Sequence, residues 1–224
     1  MQVGEKVKKF KIGDDVFGFT KGGAFQEYGI TNESRITKKP ISISYNEASG
    51  LATCFGTAYK SLTYSFGTDV QDKNVLIVGT SGGVGILAIQ IAKYLKFKKI
   101  YAVCSSKNKE LVQSFGAVDK ILCYDEEHYL NNCDEKFDLI FDNAYSGNLE
   151  HYEKYNGFLK SDNWLYVVVN GTMKERIFGG LQVLLGKRFN IEKKQFHYSF
   201  GSMSYEYLDI AKKMMEENKL KFFY

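Results

Sequence analysis

The stretch Val75-Leu-Ile-Val-Gly-Thr-Ser-Gly-Gly-Val-Gly85 constrains the fold more than any other part of the chain. It begins as an apolar run of strand length, passes through a turn of small residues, and opens a helical pattern. Val84, Leu87, Ala88, Ile91, Ala92 and Leu95 recur at the spacing of one helix face. A strand that feeds a helix through a glycine turn needs a second, parallel strand to pack on. Four more short apolar runs supply the rest of a parallel sheet: Ile100–Cys104, Lys120–Tyr124, Phe137–Phe141 and Trp164–Val169. Runs this short and this continuous suit strands covered on both faces by helices.

The turn also carries a chemical implication. Small residues let a backbone approach a pyrophosphate, and a helix N-terminus offers unpaired N–H groups to an anion. Thr80 holds the first glycine place of the dinucleotide fingerprint, with Gly82 and Gly85 in the second and third. A plain strand-to-helix turn without a ligand is the alternative. Three glycines at positions 82, 83 and 85, with no packing need of their own, argue against it. At the end of the second strand, Cys104-Ser-Ser-Lys-Asn-Lys109 has no acid before Glu110. An acid there would hold a ribose 2′-hydroxyl. Hydroxyls and ammonium groups suit a 2′-phosphate instead, so the expected cofactor is NADPH rather than NADH. Ser105 or Ser106 could equally cap the helix expected over Lys107–Phe115.

Before the sheet the chain reads differently. Residues up to about Tyr64 are rich in glycine, with β-like runs at Asp15–Phe19 and Ala24–Ile30. Pro40, the single proline, marks a connector. Tyr45–Tyr64 is helical in part, with Ser44 or Asn46 available as a cap. Near the end, Tyr205–Lys219 predicts a helix with Leu208, Ala211 and Met215 on one face.

Composition excludes several function classes. The chain has 224 residues, 44% of them hydrophobic and 25% charged, which suits a packed domain rather than a disordered one. The net charge of +4 is scattered and forms no nucleic-acid patch. No apolar run approaches the length of a membrane span. The first eleven residues are charged and resemble neither a signal nor a transit peptide. Cys54, Cys104, Cys123 and Cys133 form no C-x-x-C pair and read as small buried hydrophobes of a reducing compartment. The expected location is cytoplasmic, with mitochondrial or lipid-droplet association as the alternatives. His128, His151 and His197 lie far apart, so no metal site is expected and each is read as a surface or hydrogen-bonded residue.

Several stretches together resemble the medium-chain dehydrogenase/reductase superfamily, in its zinc-free quinone-oxidoreductase-like branch. They are Phe10–Gly18, Gly23–Tyr28, Lys39-Pro40, Thr57-Ala-Tyr59, Gly79–Gly85, Phe115–Ala117 and Phe137–Asn143. The resemblance implies a Rossmann doubly wound parallel sheet over residues 65–224 and a partial GroES-like β lobe over residues 1–64, with the cofactor in the cleft between them. It implies hydride transfer from NADPH to a quinone or another α,β-unsaturated carbonyl. Carried over by position, Ser81, Gly82, Gly83 and Val84 meet the pyrophosphate, and Ser105 and Lys109 the 2′-phosphate. Tyr124 flanks the adenosine, Asn143 the nicotinamide ribose, and Thr57 the nicotinamide, with Tyr59 nearby. Zinc-dependent relatives carry a cysteine where this chain has Thr53. No catalytic side chain is assigned.

The resemblance also implies a catalytic lobe that family members begin further upstream and close further downstream. The competing expectation is therefore a catalytically weak or inactive nucleotide-binding or regulatory protein, or a fragment with open strand edges. A small-molecule carbonyl or quinone is the expected partner, and a homodimer is the assembly open to it. Ser106→Asp should weaken NADPH binding far more than NADH binding in paired titrations. Equal effects on the two cofactors would remove the 2′-phosphate assignment.

Overall fold

The computed structural model describes residues 2–144, 149–161, 165–169, 189–191, 194–198 and 205–221. They fall into two compact units: residues 58–200 form one, and residues 1–57 with 201–224 form the other.

The larger unit is built on a sheet of seven strands. β3 (Asn74–Val78), β4 (Lys99–Cys104), β5 (Lys120–Cys123), β6 (Leu139–Asp142) and β7 (Leu165–Val168) correspond to the five apolar runs. The order is β5-β4-β3-β6-β7-β9-β8, with β8 (Phe189–Ile191) and β9 (Lys194–Tyr198) at one edge. All neighbours run parallel except β8, which pairs antiparallel with β9. The chain starts in the middle at β3, winds outward to β5, then returns to the other side with β6. That reversal beside β3 is the switch point of a doubly wound sheet.

Every residue of β3, β6 and β7 is buried. Successive side chains point to opposite faces, so both faces must be covered. On one face Leu76, Val78, Tyr101, Val103, Ile140, Tyr166 and Val168 pack with Tyr152 and Tyr155 of α5 (Leu149–Asn156) in one apolar cluster. Elsewhere α3 (Gly83–Tyr94) lies against β3 and β4, burying Leu87, Ala88, Ile91 and Ala92 as its periodicity requires, and α4 (Lys109–Ser114) lies against β4 and β5. Leu87 and Ile91 each contribute roughly 1.5–3 kcal/mol by leaving water, and the two alanines less.

Polar latches fix the amino ends of the strands. Asp138 accepts from the Asn74 amide at 2.8 Å and from Lys160 Nζ at 2.7 Å. Asp119 accepts from the Ile100 amide at 2.7 Å. Tyr101 Oη donates to Asp134 at 2.8 Å, and Lys120 pairs with the same carboxylate at 2.9 Å. The Lys120 ammonium and the Tyr101 hydroxyl hold the Asp134 carboxyl down at about 2.

The smaller unit contains β1 (Val16–Gly18) paired antiparallel with β2 (Ile36–Lys38). α1 (Tyr45–Ser49) starts with a complete capping box: Ser44 Oγ accepts from the Glu47 amide, and Glu47 accepts from the Ser44 amide. α2 (Leu51–Thr63) follows, and the division between the units falls inside it. α6 (Tyr205–Glu216) packs on β2, with Leu208, Ala211, Met214 and Met215 buried. Thr37 Oγ1 donates to Asp209 at 2.9 Å across that contact. The carboxyl-terminal segment 201–224 therefore joins the unit of residues 1–57 rather than the sheet domain of residues 65–224 that the sequence suggests.

Two further differences have physical reasons. The run Ala24–Ile30 forms no strand: Phe25, Tyr28 and Ile30 are exposed, and no described strand lies beside it to receive its backbone hydrogen bonds. Helix α5 and strands β8 and β9 follow no pattern that the sequence reading used. Trp164, and the side chain of His197, lie outside the described residues. His128 is exposed, in a left-handed conformation with φ 53°. Among the described residues no helix is long and apolar enough to cross a membrane.

Cys104 and Cys123 are register partners at the carboxyl ends of β4 and β5, and both are buried. Burial, with the neighbouring Cys123 thiol, pushes Cys104 up to about 11. Above the ordinary thiol value the unfolded chain loses this proton first, so the folded state becomes relatively less stable as pH rises toward about 11. At pH 8, iodoacetamide should modify Cys104 only as fast as the domain unfolds, as read by mass spectrometry. Rapid modification of native protein would contradict this packing.

Candidate functional site

β3 ends where its backbone must turn sharply. Gly79 has φ +80°, a left-handed conformation that favours glycine. The Gly79 and Thr80 amides both donate to the Val103 carbonyl, at 3.0 and 3.1 Å, and Thr80 Oγ1 donates to the same oxygen at 3.0 Å. Thr80 is fully buried. Its hydroxyl ties the turn to β4, which explains a threonine at the first glycine place.

The turn then enters α3. The Gly82 amide donates to the Gly79 carbonyl at 3.4 Å, and the Ile86 amide makes the first helical bond to Gly82 at 2.8 Å. A Cβ on Gly85 would stand 2.2 Å from the Gly79 oxygen and 2.6 Å from the Thr80 Cα. Only glycine lets the first turn of the helix pack against the strand end. The N-cap is Gly82, which has no side chain to bond the amides of that first turn. Gly82 and Gly83 are exposed, with Ser81 and Val84 half-buried beside them.

The neighbouring strand ends complete the surroundings. After β6, the Asn143 amide donates to Val78 at 3.1 Å and its Nδ2 to Gly79 at 3.4 Å. After β5, the Tyr124 amide donates to Cys104 at 2.9 Å, and the Tyr124 ring is 55% exposed, free to stack on a flat group. After β4, Ser105 is buried and its hydroxyl accepts from Asn108 Nδ2 at 3.0 Å, while Lys109 is exposed. Eight of the nine predicted residues (Ser81, Gly82, Gly83, Val84, Ser105, Lys109, Tyr124 and Asn143) thus follow the carboxyl ends of β3, β4, β5 and β6. Thr57 belongs to the other unit: it is buried on α2, and its hydroxyl donates to the Thr53 carbonyl at 2.8 Å.

Two acids near these strand ends went unnoticed in the sequence. Asp125 accepts from the Ser106 amide and from the Ser106 hydroxyl, both at 2.7 Å. Ser106 therefore caps nothing in its own helix. The Ser106 hydroxyl and amide hold the Asp125 carboxyl below the usual carboxylate range. Register could have predicted the meeting, because Cys104 lies beside Cys123 and the residues that follow each must emerge together. Asp142 is the second. It is fully buried at the end of β6, where a carboxylate requires partners. Tyr166 Oη donates to it at 2.6 Å and the Ala144 amide at 3.1 Å, and His151 Nε2 lies 3.0 Å away. These bonds hold the loop that carries Asn143 against the glycine turn.

Among the described residues no group of three or more His, Cys, Asp or Glu could hold a metal ion. The arrangement can bind an anion along the open end of α3 and a flat ring beside Tyr124.

No family model matches the chain. It is 39% identical to a chloroplastic quinone-oxidoreductase of Triphysaria versicolor over 131 residues, 55% of this chain and 39% of that protein. It is 33% identical to a chloroplastic NADPH-dependent alkenal/one oxidoreductase of Arabidopsis thaliana over 155 residues, 63% of this chain and 38% of that protein. The chain thus spans about two fifths of the length of these curated relatives. The solved quinone oxidoreductase of Coxiella burnetii superposes with a TM-score of 0.78 at 24% identity, covering 98% of this chain and 66% of that one.

Gly85→Ala should destabilise the sheet domain by about 2–3 kcal/mol, because backbone rather than a flexible side chain must yield to the added methyl. Chemical denaturation followed by fluorescence measures this. A loss below about 0.5 kcal/mol, the scale of an ordinary surface change, would show that the turn is looser than its geometry.

Proposed function

We propose that this chain, a homologue of quinone oxidoreductases and alkenal/one reductases with the medium-chain dehydrogenase/reductase fold, binds NADPH and transfers its hydride to a quinone or α,β-unsaturated carbonyl without zinc. The observation that carries the reading is the glycine turn. The Gly85 contact brings the uncapped start of α3 against the end of β3, at the point where the strand order reverses. Open α/β sheets take ligands at such a point.

The residues fit a dinucleotide in parts. Gly82 and Gly83 leave room for backbone N–H groups to meet a pyrophosphate, with Ser81 and Val84 at its sides. Lys109 offers an ammonium group, and Ser105 a hydroxyl, toward a 2′-phosphate. Tyr124 suits the adenosine, and Asn143 the ribose next to the nicotinamide. When bound, the cofactor supplies the hydride. The chain's own part is to orient it, which hydride transfer needs more than an acid or base. A cytoplasmic setting belongs to the same proposal, supported by Cys104 and Cys123, which are used as buried apolar residues rather than as a disulfide framework.

Calorimetry with NADPH and NADH, run beside reduction of a soluble benzoquinone and an alkenal, tests the proposal. Micromolar NADPH binding with turnover is the expected result. Binding without turnover would reduce the function to nucleotide binding. No binding of either cofactor would overturn the reading. Size-exclusion chromatography of the same samples reports monomer or homodimer.

A further inference from the structure

Beside the strand end that carries Ser105 and Lys109 stands an exposed carboxylate that the cofactor reading leaves without a role. Ser106 follows β4 and Asp125 follows β5, and the parallel register sets them side by side. One Asp125 oxygen takes the Ser106 amide and the other takes the Ser106 hydroxyl, each at 2.7 Å. Both donors of Ser106 are thereby committed to an acid on the next strand.

We infer that Asp125 is a specificity-determining residue: it withholds the Ser106 donors from a 2′-phosphate and narrows the preference for NADPH over NADH. The inference rests on the dinucleotide reading above. A phosphomonoester is close to doubly charged at neutral pH and presents three acceptor oxygens. It binds where N–H and O–H donors and cations converge. Here the cations are Lys107 and Lys109, both exposed, and Ser106, also exposed, adds an O–H and an N–H donor beside Ser105. Asp125 takes those donors and sets a negative charge beside the place a phosphate would occupy. A 2′-hydroxyl meets the opposite balance, because it is neutral and can itself donate to a carboxylate. Lys107 attracts Asp125 as well, so part of the cationic field is also spent on it. The strand end is thus built from two opposed sets of groups. The lysines favour the phosphate, and Asp125 favours the hydroxyl.

Asp125→Asn keeps the shape and one acceptor while removing the charge. It should tighten NADPH binding about tenfold and leave NADH unchanged or slightly weaker, since only the 2′-phosphate feels the lost repulsion. Adenosine 2′,5′-bisphosphate should gain by the same factor, and 5′-AMP should not. Asp125→Ser, a second route to the neutral residue, should behave alike. Ser106→Ala should have little effect in the parent chain but should remove most of the gain in the Asp125→Asn background, a coupling that a double-mutant cycle reads directly. If Asp125→Asn shifts both cofactors by one factor, Asp125 only shapes the turn and the inference falls while the dinucleotide reading stands. If the variant weakens NADPH alone, Asp125 positions Ser106 for the phosphate and the inference is reversed. If the parent chain binds neither cofactor, both readings fall.

Discussion

The contact between Gly85 and the Gly79 carbonyl is the constraint from which the rest of the sheet domain's site follows. A methyl group there would stand 2.2 Å from the oxygen, so the absence of a side chain sets how close α3 comes to β3. That closeness sets the first turn of the helix, with Gly82 and Gly83 exposed, beside the strand ends. The Val103 carbonyl, accepting from Gly79, Thr80 and the Thr80 hydroxyl, keeps the turn from relaxing outward. Two features of different kinds therefore serve one geometry. One removes bulk, and the other supplies a buried hydroxyl.

The same economy governs the buried acid at the end of β6. A carboxylate at zero exposure is costly unless each oxygen is engaged. Asp142 meets that requirement with Tyr166 from β7 on one oxygen and the Ala144 amide from its own loop on the other, while His151 Nε2 of α5 lies 3.0 Å away. The two bonds tie the end of β6 to β7 and to the loop that follows. Their product is a fixed start for the loop bearing Asn143, whose amide and side chain both reach back to β3. Rigidity at the strand ends thus comes from polar groups, although the strands themselves are held by aliphatic packing.

What could be read from the sequence follows from how local the information is. The five parallel strands and α3 were legible because burial on both faces leaves continuous apolar runs, and a helix leaves a 3.6-residue period. The sequence offers Ser44 or Asn46 as the cap of α1, and the capping box with Glu47 selects Ser44. Ala24–Ile30 carries a strand-like composition, yet a strand exists only with a neighbour, and its residues stand exposed. Helix α5 has few apolar residues and is held by tyrosines whose partners lie on other elements, such as Tyr155 with Tyr129, in a short 3-10 helix, at 2.9 Å. The return of residues 201–224 to the first unit depends on contacts such as Thr37 with Asp209, separated by 172 positions.

Asp125 shows the limit most clearly. Scanning forward from β4 for an acid, the first met is Glu110, six residues beyond the strand, and the strand end reads as basic. In the folded sheet the neighbours of residues 105 and 106 include residues 124 and 125, because β5 lies in register beside β4. The charge presented to a ligand there is the sum over two strand ends, and only one of them is contiguous in sequence. A fingerprint that inspects a single loop measures half of that sum. The relevant unit for reading cofactor preference in a parallel sheet is the pair of adjacent carboxyl ends, and strand order must be known before their charges can be added.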